Sequence, residues 1–206
     1  MTGGSPHVSR ETQDKLARYA ALLRKWQARI NLVAPDTLDV AEHRHFDDSL
    51  QILPFLPEKK EDRSGPVLVD FGSGAGFPGL ALAIARPDLQ VHLVESDAKK
   101  CEFLKTVSRE TETPVTVQIS RIEALAPFNA DVITARALAP LAKLIAFSMP
   151  FVILNPLIKL IFLKGGNWAD EVAAARDIYD FNLTDIPSTT HPKARLLIIK
   201  DLSPRA

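Results

Sequence analysis

Cysteine is almost absent from this chain. The single Cys101 among 206 residues excludes an internal disulfide framework, and no set of Cys and His has the spacing of a zinc site, so no metal is expected. Charge of one sign is lacking too: 25 basic residues balance 25 acidic ones, which argues against a tight, sequence-independent binder of naked nucleic acid. No apolar run is long enough to span a bilayer, because the stretch 147–163 is broken by Pro150, Asn155, Pro156 and Lys159. The opening MTGGSPHVSRETQ has no basic segment followed by an apolar one. A cytoplasmic protein with no membrane contact is therefore expected.

What is present suffices for a globular core: 46% of residues are hydrophobic and 24% charged. Leu16, Tyr19, Ala20, Leu23, Trp26 and Ile30 recur at three- and four-residue steps, which predicts an amphipathic helix over 9–30 with Ser9 as its N-cap. Its other side carries Arg18, Lys25 and Arg29, and residues 1–30 hold six basic against two acidic residues. A second helical stretch is expected from about Thr37 to Leu53, stopped by Pro54 and Pro57. The charged segment 58–65, closed by Gly65-Pro66, reads as a linker. Domains are accordingly expected at 1–64, a helical extension, and 65–206, a ligand-binding domain.

Beyond the linker, short apolar runs predict strands at 67–71, 91–95, 115–119, 131–134, 158–163 and 195–200. Helices are predicted between them, at 78–85, 97–110 and 138–154, the first beginning with a proline that a first turn tolerates. This alternation predicts an α/β fold with a mostly parallel, doubly wound sheet.

The first predicted strand runs into DFGSGAGFPG, residues 70–79. A glycine turn between strand and helix places backbone N–H groups at the sheet edge where ligands bind, and side chains at Gly72, Gly74 and Gly76 would occupy the ligand's volume. Gly74, Gly76 and Gly79 also satisfy G-x-G-x-x-G, which admits a nicotinamide or flavin dinucleotide. Asp70 favours another ligand: with the glycines it gives D-x-G-x-G-x-G, the pattern by which methyltransferases cradle S-adenosylmethionine, where an acid can face the methionine ammonium. Glu95, about 20 residues beyond the turn, suits ribose hydroxyls in either ligand. Arg121, Ile122 and Glu123 follow the third strand, where adenine is bracketed in such folds. The fourth strand ends in Thr134-Ala135-Arg136-Ala137, with no Asn-Pro-Pro-Tyr to orient an amine and no cysteine to attack a pyrimidine ring.

Trp26 with Asn31-Leu32, the block Arg44-His45-Phe46-Asp47-Asp48-Ser49-Leu50, DFGSGAGFPG, Arg121-Ile122-Glu123, Arg136-Ala137-Leu138-Ala139-Pro140-Leu141 and Leu163-Lys164-Gly165 occur in order along the chain. Together they resemble the ribosomal RNA small subunit methyltransferase G family, also called glucose-inhibited division protein B. The resemblance implies a class I, Rossmann-like S-adenosylmethionine-dependent methyltransferase fold. It implies methylation of N7 of guanine 527, in the usual rRNA numbering, to 7-methylguanosine in 16S rRNA. Methyl-donor contacts carry over to Gly72, Phe77, Ile122, Glu123 and Arg136; the residue reading adds Asp70, Gly74 and Glu95. The chain departs from the family at Asn155-Pro156-Leu157, where a glycine turn is usual, so the start of the fifth strand is open. The expected partner is small-subunit rRNA or the small ribosomal subunit, met by a monomer.

Guanine N7 carries a lone pair and no proton, so no general base is required and none is expected among the catalytic residues; Arg136 is the candidate for positioning. His45, Asp48 and Ser49 read as a capping and packing cluster, with acid–base work by His45 the other reading. Arg18, Lys25 and Arg29 read either as a solvated helix face or as rRNA phosphate contacts. Two further functions stay open at this point: a nicotinamide-dependent oxidoreductase, and a non-catalytic RNA-binding or ribosome-assembly factor with the same fold.

Overall fold

The structure is a computed structural model that describes residues 8–34, 42–59 and 64–205. Helix α1 (Arg10–Gln27) starts where the Ser9 side chain accepts the Thr12 N–H, and it buries Tyr19, Ala20 and Leu23. Part of the second expected helix, residues 37–41, lies outside the described residues. The rest opens with a π-helical turn (Glu42–Asp47) that runs into the short α2 (Asp48–Leu50), and Pro54 sits inside a 3₁₀ turn at Leu53–Phe55.

The sheet contains β1 (Val67–Phe71), β2 (Gln90–Glu95), β3 (Thr116–Ile119), β4 (Val132–Arg136), β5 (Lys159–Lys164), β6 (Tyr179–Pro187) and β7 (Arg195–Pro204). Its spatial order is β3-β2-β1-β4-β5-β7-β6, parallel through β5, with β7 antiparallel to both β5 and β6. Helices α3 (Gly79–Ala85) and α4 (Ala98–Glu110) cover one face, and α5 (Leu141–Leu154) with α6 (Trp168–Arg176) cover the other. Two apolar layers result. One joins Leu68, Leu80, Leu93 and Phe103 to Tyr19, Leu23, Phe46 and Ile52 of the N-terminal segment. The other joins Val69, Phe71, Ile133 and Phe162 to Leu141, Ile145 and Phe151.

The fifth strand begins at Lys159, and the turn before it is closed without glycine. Asn155 Oδ1 accepts the Leu157 N–H at 3.1 Å, the Asn155 carbonyl accepts the Ile158 N–H at 3.0 Å, and its amide donates to the Ala130 carbonyl at 2.8 Å. The asparagine side chain does the work of a backbone turn. Strand β6 and helix α6 go beyond the sequence expectation. β6 is an edge strand whose Asp180, Asn182 and Asp185 face solvent, residues that disfavour strands unless, as here, a partner ladder such as β7 holds them.

Candidate functional site

The C-terminal ends of β1, β2, β4 and β5 open on a cavity of about 960 Å³, at the upper end of the size usual for small-ligand sites. Gly72, Gly74, Phe77, Glu95, Ile122, Glu123 and Arg136 line it together, as do His45, Asp48, Leu138 and Lys164. The three positive-φ glycines of the turn divide their work. A Cβ on Gly74 would meet nothing nearer than the Gly72 carbonyl oxygen, at 3.7 Å, and would stand in the cavity. A Cβ on Gly72 would strike the Leu138 side chain, and one on Gly76 would strike the Tyr19 hydroxyl, Leu80 and Leu104. Only at Gly74, then, is the missing side chain volume left for a ligand; at Gly76 it is taken by the protein's own core.

Glu95 is fixed at the end of β2, 9% exposed. Its Oε2 accepts the Gly74 N–H at 2.9 Å and its Oε1 accepts the Asp97 N–H at 2.8 Å. The carboxylate thereby ties the glycine turn to the start of α4, where Asp97 caps the helix by accepting the Lys99 and Lys100 N–H groups. A carboxylate has about four acceptor sites, so Glu95 retains capacity for hydroxyl donors of a ligand. Ile122 and Glu123 open the 3₁₀ turn Ile122–Ala124 that borders the same wall.

Asp70 is placed differently from the sequence expectation. It is fully buried, lies off the cavity lining, and shares the face of β1 with Leu68, where α3 packs; its Cβ lies 2.6 Å from where a Cβ on Gly79 would stand. Oδ1 accepts the Thr134 hydroxyl at 2.8 Å, while Oδ2 has no hydrogen-bond partner. Strand alternation is the reason: Val69 and Phe71 face α5, so Asp70 must face α3. Burial raises the Asp70 pKa from 3.8 to about 6, against the lowering effect of the Thr134 hydrogen bond. A folded-state pKa above the unfolded one means that the native state binds the proton more tightly. The Asp70 contribution to stability is then fully present below about pH 4 and is lost as pH rises through about 6. Asp70→Asn is expected to remove this fall, with a gain over wild type of up to roughly 3 kcal/mol at neutral pH and little gain below pH 4. Urea unfolding of both proteins across that pH range tests it.

The N-terminal segment supports the turn from outside the sheet. Tyr19 is fully buried and its hydroxyl donates to the Ala75 carbonyl. Its ring stacks on Phe77 at 5.3 Å, and Phe46 meets the same Phe77 edge-on at 5.0 Å. Burial holds the Tyr19 pKa well above its usual value, so the hydroxyl stays a donor. Tyr19→Phe leaves a buried carbonyl without its donor, and a loss of about 1–3 kcal/mol in urea unfolding is expected.

Arg136, at the end of β4, lies over the Phe77 ring, with its guanidinium carbon 5.1 Å from the ring centroid. It pairs with Asp48 Oδ2 at 3.3 Å and contacts His45 Nδ1 at 2.9 Å. A guanidinium only donates, so His45 Nδ1 accepts and the imidazole proton resides on Nε2. Desolvation lowers the Arg136 pKa and the Asp48 charge opposes that shift. The capping and packing reading of His45, Asp48 and Ser49 is thus extended: Ser49 does donate to the His45 carbonyl at 2.6 Å, but His45 and Asp48 reach the cavity and hold Arg136 there. Lys164 is a site residue that sequence spacing alone does not single out. It pairs with Glu171 at 2.6 Å and donates to the Ala139 carbonyl at 2.8 Å, holding α6 against the loop after β4.

Arg18 on α1 donates to the Glu110 carbonyl at 2.7 Å and so closes the C-terminus of α4; Lys25 on α1 and Arg29 just beyond it are exposed. Cys101 is buried, its thiol 3.3 Å from the Glu95 carbonyl. Among the described residues no group of His, Cys, Asp and Glu is arranged to hold a metal ion, and no helix is long and apolar enough to cross a membrane.

Comparison with known proteins gives the fold and the family. The fold is that of class I methyltransferases: the structure is similar to the ribosomal protein L11 methylase of Lactobacillus delbrueckii subsp. bulgaricus, with a TM-score of 0.58, 14% identity and 80% of each chain covered. It is similar too to TYW2 of M. jannaschii, solved in complex with AdoMet, with a TM-score of 0.55 and 12% identity over 87% of this chain and 80% of that one. In sequence, the chain is 49% identical to the ribosomal RNA small subunit methyltransferase G of Paramagnetospirillum magneticum over 95% of its own length and 92% of the relative's. Residues 12–196 match the family described as GidB, rRNA small subunit methyltransferase G, and the chain belongs to that family.

Proposed function

We propose that the protein transfers the methyl group of S-adenosylmethionine to N7 of a guanine in 16S rRNA, position 527 in the usual rRNA numbering. The observation that carries this reading is the glycine turn of a family member, open to the cavity at Gly74 and braced by Glu95. Gly72, Gly74 and Phe77 would hold the donor's amino-acid end, Glu95 its ribose, and Ile122 with Glu123 its adenine. The bound donor supplies an electrophilic methyl on a sulfonium. Guanine N7 supplies its lone pair, so no side chain has to remove a proton. The work of the chain is to align the partners and exclude water, which can lower a barrier by up to ~7–11 kcal/mol. Arg136, backed by His45, Asp48 and Phe77, is held rigidly enough for that task.

The sheet order counts against a nicotinamide enzyme. Dinucleotide folds run 3-2-1-4-5-6 in parallel, whereas here an antiparallel β7 is inserted between β5 and β6. The partner is the small ribosomal subunit or its rRNA, approached by a monomer in the cytoplasm. Transfer of labelled methyl to small subunits lacking the modification, followed by mapping of the labelled base, tests the proposal. Label recovered as 7-methylguanine at the named position supports it; donor binding without transfer favours a non-catalytic assembly factor. Lys25, exposed in the last turn of α1, and Arg29, exposed in the turn that follows it, are proposed phosphate contacts with Arg18 as a third. Replacing Lys25 and Arg29 with glutamine is expected to weaken subunit binding and flatten its salt dependence by about 2 in log–log slope.

A further inference from the structure

Arg136 belongs to the sheet, but one carboxylate that holds it comes from the N-terminal extension and is itself held by a loop from the C-terminal end. Asp48 Oδ2 pairs with Arg136 Nη1 at 3.3 Å. Asp48 Oδ1 accepts the Gln51 side-chain amide at 2.8 Å, the Thr190 hydroxyl at 2.8 Å and the Ser188 hydroxyl at 3.4 Å. Ser188 and Thr190 lie in the 188–194 connection between β6 and β7, and Ser188 lines the cavity. That connection is fastened a second time where the Thr189 N–H donates to Gln51 Oε1 at 3.1 Å.

Each of these groups donates toward Asp48. A carboxylate accepts on both oxygens and satisfies them all, while its charge opposes that of the guanidinium. An amide of the same shape cannot, because it must turn an N–H₂ group toward either the guanidinium or the hydroxyls. Packing alone would not require an acid at this position, which is only 9% exposed. We infer that Asp48 is a positioning residue: it sets Arg136 in the cavity and couples it to the 188–194 loop. The inference rests on the methyl-donor reading of the cavity.

A double-mutant cycle decides it. S-adenosylmethionine affinity is measured by calorimetry for wild type, Asp48→Asn, Arg136→Met and the double variant. Asp48→Asn is expected to weaken binding about tenfold, and the double variant to bind no more weakly than Arg136→Met, since residues acting through one another are not additive. Thr190→Val, which removes one donor and leaves the charge, is expected to weaken binding about threefold and to have no effect in the Arg136→Met background. Additive losses, or an Asp48→Asn protein that binds like wild type, would overturn the inference. If circular dichroism shows Asp48→Asn unfolded, the Thr190→Val cycle is judged by the same criterion. A wild type that binds no donor would sink the functional reading instead. In that event trypsin cleavage after Lys193 in the ligand-free protein decides the coupling to the loop: cleavage about tenfold faster in the folded Asp48 or Thr190 variant supports it, and unchanged cleavage refutes it.

Discussion

Arg136→Met is expected to lower methyl transfer by at least about a hundredfold while leaving the chain folded. Methionine retains a linear apolar stem against Phe77 but gives up the fork that joins His45 and Asp48. Orphaning a buried carboxylate usually costs about 3–5 kcal/mol, but Asp48 keeps its bonds to Gln51 and Thr190, so a loss nearer 2 kcal/mol is expected. Chemical denaturation and transfer kinetics on one preparation separate the effects. Arg136→Lys restores charge without the planar two-pronged geometry and is expected to recover only part of the rate. A methionine variant that transfers methyl at the wild-type rate would remove Arg136 from the machinery.

Gly74→Leu is the second large effect. The new side chain would project into the cavity, and its Cβ would have nothing but the Gly72 carbonyl oxygen within 4 Å beyond its chain neighbours, so the first carbon at least meets no clash. Its backbone stands at φ +54°, a left-handed conformation that costs a side-chain-bearing residue about 1–2 kcal/mol. Donor affinity is expected to fall by more than about a hundredfold, because the leucine volume displaces the ligand while the Gly74 N–H to Glu95 bond can persist. Gly76→Leu makes the contrast: its Cβ meets Tyr19, Leu80 and Leu104, so loss of the fold is expected before loss of binding alone. Calorimetry of donor binding beside thermal melting distinguishes the two glycines, and equal melting losses in both would contradict the assignment.

The parts of the site that are local in the chain were legible in its sequence. Ser9 as a cap, the short apolar runs that became β1 to β5, and the glycine turn each follow from spacing within a few residues. Contacts between distant residues left no such period. Arg136 and Asp48 are separated by 88 positions and Tyr19 from Ala75 by 56, so neither pairing is visible in any window. Asp70 shows the cost of reading a motif without its strand: the alternation Leu68, Val69, Asp70, Phe71 already directs the acid to the α3 face. β6 carries its own alternation from Tyr179 to Leu183, which slips by one residue before Ile186 and is diluted by the acids and amide among its exposed positions.

Tyr19, Leu23, Phe46 and Ile52 belong to the same apolar layer as Leu68, Leu80, Leu93 and Phe103. A cut at residue 64 would therefore divide one apolar layer between two pieces. Severed from the extension, the α/β segment would expose the seats of Tyr19 and Phe46 beside the glycine turn and give up the side chains that clamp Phe77. Fraying of α1 would therefore loosen the packing around the glycine turn as well as the helix itself.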